Sequence, residues 1–290
     1  MKKLSILILS LVSIFNIMEA QMQISFCMDT PDFTFVPIDM GKYETLDTCR
    51  LTLTYQLSYR ASVKDDSLSR KDLMDLNIGE IYNSFYSRIL RETDLKNYKD
   101  IRNRLGFTIV PDDCIGFEMM FCHVDSTLAV TNRLPFTSQH IEYSQKIPKI
   151  DWNYSSQETD TIMGYPCRVA TARIEGREWK VWYTPDIPLP YGPWLLNGTK
   201  GLVLKGMDNE NNFKFEAEGL STSPSTIIRY NWDRKKMEKE KWRDFEREFH
   251  KNAGMFARST GVNIIIKDQS ARGYHPLNEN WEEFYNPLEK

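Results

Sequence analysis

The chain has 290 residues, of which 41% are hydrophobic and 12% aromatic, a composition typical of a folded globular protein and not of a disordered or fibrous one. Its 37 Lys and Arg residues stand against 40 Asp and Glu residues, for a net charge of −3. That balance argues against a nucleic-acid-binding protein, which would normally carry a basic surface.

The first 20 residues predict a secretory signal peptide. Lys2 and Lys3 form a short basic start, and an apolar run continues from Leu4 to Met18. This run is shorter than the roughly 20 residues that a membrane-spanning helix needs, although an uncleaved N-terminal anchor is the alternative. We expect residues 1–20 to be removed after export, leaving residues 21–290 as a single domain without a membrane span, in the periplasm or at the cell surface.

The cysteine pattern fits an exported protein but does not define a disulfide scaffold. The five cysteines are Cys27, Cys49, Cys114, Cys122 and Cys167. An oxidising compartment permits disulfides, but an odd number leaves at least one thiol free or paired between chains. The C-x-x-C spacing is absent from the sequence, so neither a zinc ribbon nor a thioredoxin-like redox site is indicated.

Alternating hydrophobic and polar residues predict most of the secondary structure. The clearest run extends from Cys49 to Tyr59, where every second residue is apolar or aromatic, which predicts a strand with one buried face. Further strands are predicted at 166–174, 178–184, Gly201–Met207, Phe213–Gly219, Ile115–Val124 and Val262–Lys267. Several of these are neighbours joined by short turns, and such hairpins imply an antiparallel sheet.

One long amphipathic helix is predicted from Trp232 to about Phe256, with Asn231 suited to cap it. Its apolar stripe consists of Trp242, Phe245, Phe249, Ala253 and Phe256. The polar face mixes both charge signs, which favours packing on the sheet over binding a membrane or a partner. Weaker helical character lies at Ile81–Arg91. The predicted fold is therefore mainly β (α+β): a curved antiparallel sheet or open half-barrel with one long amphipathic helix packed on it.

The sequence contains no recognisable catalytic or cofactor-binding motif. The four histidines, His123, His140, His250 and His275, stand outside any known catalytic signature, and neither G-x-S-x-G nor a phosphate-binding glycine motif occurs. The segment from Glu118 to His123 combines Met, Cys and His, which suit a soft metal. Strand alternation divides these residues between two faces, so no metal site, catalytic residue or cofactor is predicted.

The middle third of the chain is rich in aromatic residues. Four tryptophans, Trp152, Trp179, Trp182 and Trp194, are accompanied by Tyr154, Tyr183 and Tyr191. Such a group is able to line a groove for a sugar or a lipid, and we take the four tryptophans as candidate ligand-binding residues. Packing in the core is the alternative.

The same third carries a specific succession of motifs. Residues 162–171 read Ile-Met-Gly-Tyr-Pro-Cys-Arg-Val-Ala-Thr, and Gly-Arg, Trp-Tyr-Thr-Pro-Asp-Ile-Pro and Gly-Pro-Trp follow at 176–177, 182–188 and 192–194. This order resembles the motif run of the GLPGLI family of exported bacterial proteins. The matching residues are Gly164, Tyr165, Cys167, Gly176, Arg177, Trp182, Tyr183, Thr184, Asp186, Ile187, Pro188, Gly192, Pro193, Gly198, Gly201 and Leu202.

The resemblance extends to the flanks but departs at one point. Residues 76–79, 84–87 and 285–289 match in the expected order, whereas Thr199-Lys200 stands where the family has Leu-Pro. The resemblance implies an exported location and supplies no catalytic residues. We name Gly176–Leu204 the motif block and expect it to be architectural, because Gly, Pro and aromatic residues shape the backbone and fill volume but do not transfer protons.

These observations predict an exported cell-envelope protein that binds an apolar ligand or an envelope partner on a sheet surface. An exported hydrolase with a site assembled from distant residues is one alternative. A structural accessory subunit of an envelope complex is another. Within the motif block, Arg177 and Asp186 are expected to hydrogen-bond turn backbone that would otherwise be unsatisfied.

Overall fold

The computed structural model describes residues 24–26, 38–62, 69–106, 108, 114–134, 137–259, 264–268, 273–276 and 285–289. The predicted signal peptide and Cys27 lie outside these ranges. The strands are β1 (Ile24–Phe26), β2 (Tyr43–Cys49), β3 (Leu51–Arg60), β4 (Ser69–Ile78), β5 (Tyr82–Ser87), β6 (Phe117–Cys122), β7 (Thr127–Arg133), β8 (His140–Lys146), β9 (Thr159–Ile162), β10 (Tyr165–Ile174), β11 (Arg177–Thr184), β12 (Leu202–Asp208), β13 (Phe213–Ser221), β14 (Ser225–Tyr230), β15 (Arg234–Lys236), β16 (Ile264–Asp268) and β17 (Gly273–Pro276). The helices are α1 (Arg88–Arg102), α2 (Lys239–Lys251) and α3 (Ala253–Ser259).

The protein is mainly β and antiparallel pairing dominates, as predicted. In the described part of the chain, twelve strands form one open sheet in the order β15-β8-β7-β6-β5-β4-β3-β13-β12-β11-β10-β9. Only the pairing of β15 with β8 at one edge is parallel in this sheet. A β14–β2 ribbon and a three-stranded β1–β16–β17 sheet accompany it.

The long central strand follows directly from its residue pattern. Leu51, Leu53, Tyr55 and Leu57 are buried and alternate with partly exposed residues, so one face of β3 builds the core. The strand begins at Leu51, two residues after the predicted start, because Cys49 ends β2. The predicted hairpins β10–β11 and β12–β13 are confirmed.

The predicted helix from Trp232 to Phe256 is wrong in its continuity. Residues 234–236 form β15, and α2 begins only after Glu238, so Asn231 is not its cap. Asn252 leaves helical geometry, and α3 follows as a separate short helix. The apolar stripe nevertheless contacts the sheet, because Trp242 belongs to the main core and α2 packs on β8.

The longest described helix, α1, begins near the end of Ile81–Arg91, where the sequence showed only weak helical character. Residues 82–87 are strand β5, and the helix starts at Arg88. Ser87 caps it, since its hydroxyl accepts a hydrogen bond from the Leu90 backbone N–H at 3.1 Å. Among the described helices, none combines the length and apolarity that crossing a membrane requires.

Candidate functional site

The four candidate tryptophans are all buried. Trp179, Trp194, Trp182 and Trp152 are 1%, 2%, 5% and 9% exposed, and all belong to the main core. The Trp179 and Trp194 rings lie 5.3 Å apart, and the Trp152 indole N–H donates to the Asn197 carbonyl at 2.8 Å. The structure thus supports core packing, and it gives the tryptophans no exposed ring face along a groove.

The motif block forms a hairpin and an irregular loop that packs back on it. At the hairpin tip, Glu175 and Gly176 both have positive φ, as a tight turn between twisted strands requires. Gly201 passes so close to the Thr184 carbonyl that a Cβ there would lie 2.1 Å from its oxygen. These glycines therefore have backbone roles, in line with an architectural motif block.

Thr199 and Lys200 both make local contacts. Thr199 is buried, and its hydroxyl donates to the Gly201 carbonyl at 2.6 Å. The Lys200 ammonium lies 4.2 Å from the centre of the Tyr154 ring, a cation–π contact. The Thr-Lys pair therefore makes its own stabilising contacts in place of an apolar pair.

Arg177 contacts a distant segment instead of its own turn. Its guanidinium is buried and donates to the Asp208 carboxylate at 2.9 Å and to the Asn286 side-chain oxygen at 2.7 Å. It also donates to the backbone carbonyls of Pro287 and Leu288. The expectation that Arg177 bonds the backbone of its own turn is therefore wrong, because its backbone acceptors lie in the 285–289 segment.

Asp186, by contrast, has an exposed side chain beside its turn. Its backbone N–H donates to the Thr184 hydroxyl at 3.3 Å. The carboxylate that holds a turn is that of Asp208, which accepts from the backbone N–H groups of Asn212 and Phe213 at 2.7 and 2.8 Å. Asp208 was missed in the sequence because this last residue of β12 begins an ordinary polar stretch, residues 208–212.

An open cleft lies beside the motif block. It encloses about 750 Å³ including its mouth. Its lining consists of Asn83, Phe121, His123, Ile147, Pro148, Lys149, Ile150, Pro190, Tyr191, Asn197 and Gly198. The cleft is therefore assembled from the ends of β5 and β6, the segment after β8 and the 190–198 loop of the motif block, which we name the cleft loop.

The cleft loop is held by its own hydrogen bonds. The Asn197 side chain accepts from the Gly192 backbone N–H at 3.0 Å and donates to the Trp194 carbonyl at 3.2 Å. The Gly198 N–H donates to the Pro190 carbonyl at 2.8 Å, and the Tyr191 carbonyl accepts from Val203 on β12 at 2.9 Å. These bonds fix the backbone from which the Tyr191 ring projects.

His123 contacts the Tyr191 ring from the other side of the cleft. Its backbone N–H donates to the Ile81 carbonyl at 2.9 Å, and its ring stacks on Tyr191 with 5.0 Å between ring centres. Its Nε2 atom is buried and has no hydrogen-bond partner. Burial lowers the pKa of His123, so the ring is neutral near pH 7.

His123 does not share a site with the neighbouring thiol. The Cys122 sulfur faces Asp125 at 3.8 Å and is absent from the cleft lining. Across the described residues, no three His, Cys, Asp or Glu side chains are grouped as metal ligands. Sequence reasoning considered His123 only as a metal ligand and Tyr191 only as one of several aromatics, since no local pattern links the two.

The described lining of the cleft is mostly apolar with a few polar groups. It offers two aromatic rings, an imidazole, an ammonium group and several aliphatic side chains, and it contains no carboxylate. This mixture of apolar and polar groups is common in pockets that hold small ligands.

Comparison with known proteins matches part of the chain to one family model. Residues 137–241 match the family model described as "N-glycanase peptide, N-terminal domain". Two solved structures of PNGF-II, in the P21 and C2 space groups, are similar at 17% and 16% identity with TM-scores of 0.46 and 0.45, and each alignment covers 71% of this chain. The chain spans about a third of those structures, 34% of each. No curated protein matches.

The family match includes much of the cleft. Of the eleven lining residues, eight fall within 137–241: Ile147, Pro148, Lys149, Ile150, Pro190, Tyr191, Asn197 and Gly198. The remaining three, Asn83, Phe121 and His123, lie outside the matched residues.

Proposed function

We propose that this protein is an exported domain that binds a saccharide in the cleft beside the motif block. Export rests on the predicted signal peptide and on the resemblance to the GLPGLI family, whose membership forms part of the proposal. The matched family model is named for the N-terminal domain of an N-glycanase. That name favours a glycan over a lipid as the ligand.

The observation that carries the proposal is the Tyr191 ring on a braced loop beside polar groups. The hydrogen bonds of Asn197 and Gly198 fix the loop backbone. Binding a ligand therefore costs little conformational entropy in this backbone. An aromatic ring supplies a flat apolar surface for the C–H groups of a sugar, and the exposed Lys149 and the stacked His123 are the polar lining groups for its hydroxyls.

The alternatives have weaker support. An apolar ligand fits the apolar part of the lining but leaves His123 and Lys149 without a role. A hydrolase would have to use His123, Lys149 or Tyr191 as its acid–base groups, because the described lining contains no carboxylate. Binding of a saccharide uses both the aromatic and the polar groups of the cleft.

We also propose that the twelve-stranded sheet is curved, as an open half-barrel would be. The registers of β11–β12 and β13–β3 shift between Trp182 and Tyr183 and between Ala217 and Gly219. Such irregularities bend strands and increase their twist.

The test is direct binding to the purified protein. A free high-mannose N-glycan, N,N′-diacetylchitobiose and a long-chain fatty acid are titrated by calorimetry. We expect binding of at least one saccharide, loss of that binding in Tyr191→Ala, and no loss in Tyr43→Ala, which removes an exposed tyrosine elsewhere. Binding of the fatty acid alone, or release of glycan from a glycoprotein substrate, would contradict the proposal.

A further inference from the structure

Among the described lining residues, one buried side-chain atom has no hydrogen-bond partner. The Nε2 atom of His123 is buried without a hydrogen-bond partner. The amides of the lining are already engaged, since Asn197 bonds to the cleft loop and the Asn83 oxygen accepts from the Gly79 N–H at 3.2 Å. A buried polar atom without a partner costs folding free energy, and a ligand that satisfies it recovers that cost.

The position of His123 explains why this atom is unsatisfied. The ring stacks on Tyr191 with an angle of 29° between the planes, and Nε2 is shielded from solvent. Tyr191 is only partly buried and lines the open cleft. Because Nε2 is buried, a ligand can contact it only if the stacked pair opens.

We propose that His123 determines the specificity of the cleft: a sugar hydroxyl bonds to its Nε2 atom as the His123–Tyr191 stack opens. This inference rests on the proposed function and assigns a residue and a ligand group to it. A neutral imidazole nitrogen is either a donor or an acceptor, depending on the tautomer. A hydroxyl both donates and accepts, so it satisfies Nε2 in either form.

The charge of the lining narrows the ligand class further. Lys149 is the charged residue among the eleven described lining residues, and its side chain is exposed. A cationic amino sugar would be repelled by this ammonium group. The cleft therefore suits a neutral or acidic saccharide with a free hydroxyl.

The experiment compares two replacements of His123 for binding of the high-mannose N-glycan. His123→Phe keeps a flat ring against Tyr191 but removes both nitrogens, and we expect it to weaken binding about tenfold, the effect of one lost hydrogen bond. His123→Gln places a polar atom near the Nε2 position and should retain more affinity than the Phe variant. The control is His140→Phe, since His140 is also buried and stacked, on Trp232 at 4.3 Å, but lies outside the cleft.

A spectroscopic measurement on the wild-type protein tests the same inference even if a His123 variant does not fold. The ring ¹⁵N signals of His123 in the wild-type protein should shift on addition of the glycan, while those of His140 should not. Full glycan affinity in a folded His123→Phe, or unchanged His123 signals in the bound wild type, would overturn this inference alone. A wild type that binds no saccharide would overturn the proposed function and this inference together.

Discussion

Arg177 and Asp208 form an ion pair with 2.9 Å between Nη1 and Oδ2, and their side chains are 1% and 0% exposed. The Nε and Nη2 atoms of the guanidinium donate to the 285–289 segment. The other oxygen of Asp208 binds the turn before β13. The pair therefore joins the hairpin β10–β11, the turn after β12 and the 285–289 segment at one buried point.

Arg177→Ala should destabilise the protein by about 3–5 kcal/mol, because removing one partner leaves the other as an uncompensated buried charge. Chemical denaturation measures the free energy of unfolding. Arg173→Ala is the matched control, because Arg173 is an exposed arginine of β10, and it should change stability by no more than about 0.5 kcal/mol. Equal stability of the two variants would contradict a structural role for Arg177.

Two aspartates near the motif block should respond very differently to substitution. Asp208→Ala removes the buried partner of Arg177 and two backbone hydrogen bonds, so we expect a loss of about 3–5 kcal/mol. Asp186→Ala removes an exposed carboxylate and should cost less than about 0.5 kcal/mol. Thermal melting of both variants tests the ranking, and a large loss in Asp186→Ala would reverse it.

Trp182→Ala should cost about 3–5 kcal/mol of stability, because the indole ring is buried and its removal leaves a cavity. The ring also contacts the ammonium groups of Lys180 and Lys205 at 4.8 and 4.7 Å from its centre. Denaturant unfolding gives the loss directly. A variant of unchanged stability that no longer binds saccharide would instead restore Trp182 as a ligand-binding residue.

The stability of the protein should fall as the pH rises toward and through neutrality, owing to Glu246. Burial, and then the charge of Glu289, raises the pKa of Glu246 to about 7, while Tyr285 and Arg243 oppose the shift. The folded protein therefore holds a proton that the unfolded chain releases near its ordinary pKa of 4.5. The protonated Glu246 therefore contributes its full stabilisation of the folded state below pH 4.5, and this stabilisation is lost as the pH rises from about 4.5 to 7.

Glu246→Gln tests this dependence, since a neutral amide removes the titration. Unfolding free energies at pH 5 and pH 8 should differ less in this variant than in the wild type. Glu248→Gln is the control, because Glu248 is an exposed glutamate of the same helix. A wild-type pH dependence that persists in Glu246→Gln would assign the effect to other groups.

Local patterns predicted the parts of this fold that depend on neighbouring residues. The alternation in β3 and the turns of β10–β11 and β12–β13 are properties of short segments, and the structure confirms them. Residues 234–236 were predicted as helix because their composition is helical. They form an edge strand because they pair with β8, and the Arg234 side chain also bonds to Thr131 of the same sheet; no local pattern contains these tertiary contacts.

The cleft could not be predicted for the same reason. His123 and Tyr191 are distant in sequence, and only the folded sheet brings their rings together. The family resemblance marked both Arg177 and the 285–289 segment as separate motifs. The structure shows that these two motifs contact each other, which the sequence alone does not reveal.

The contacts of Arg177 also determine which parts of the protein unfold together. A segment outside helices and strands usually opens locally at a low free-energy cost, and its amides then exchange with solvent. Here, detaching the 285–289 segment strips three acceptor groups from a buried guanidinium. Hydrogen exchange at Leu288 should therefore be as slow as at Phe213, because both residues open in one cooperative unit.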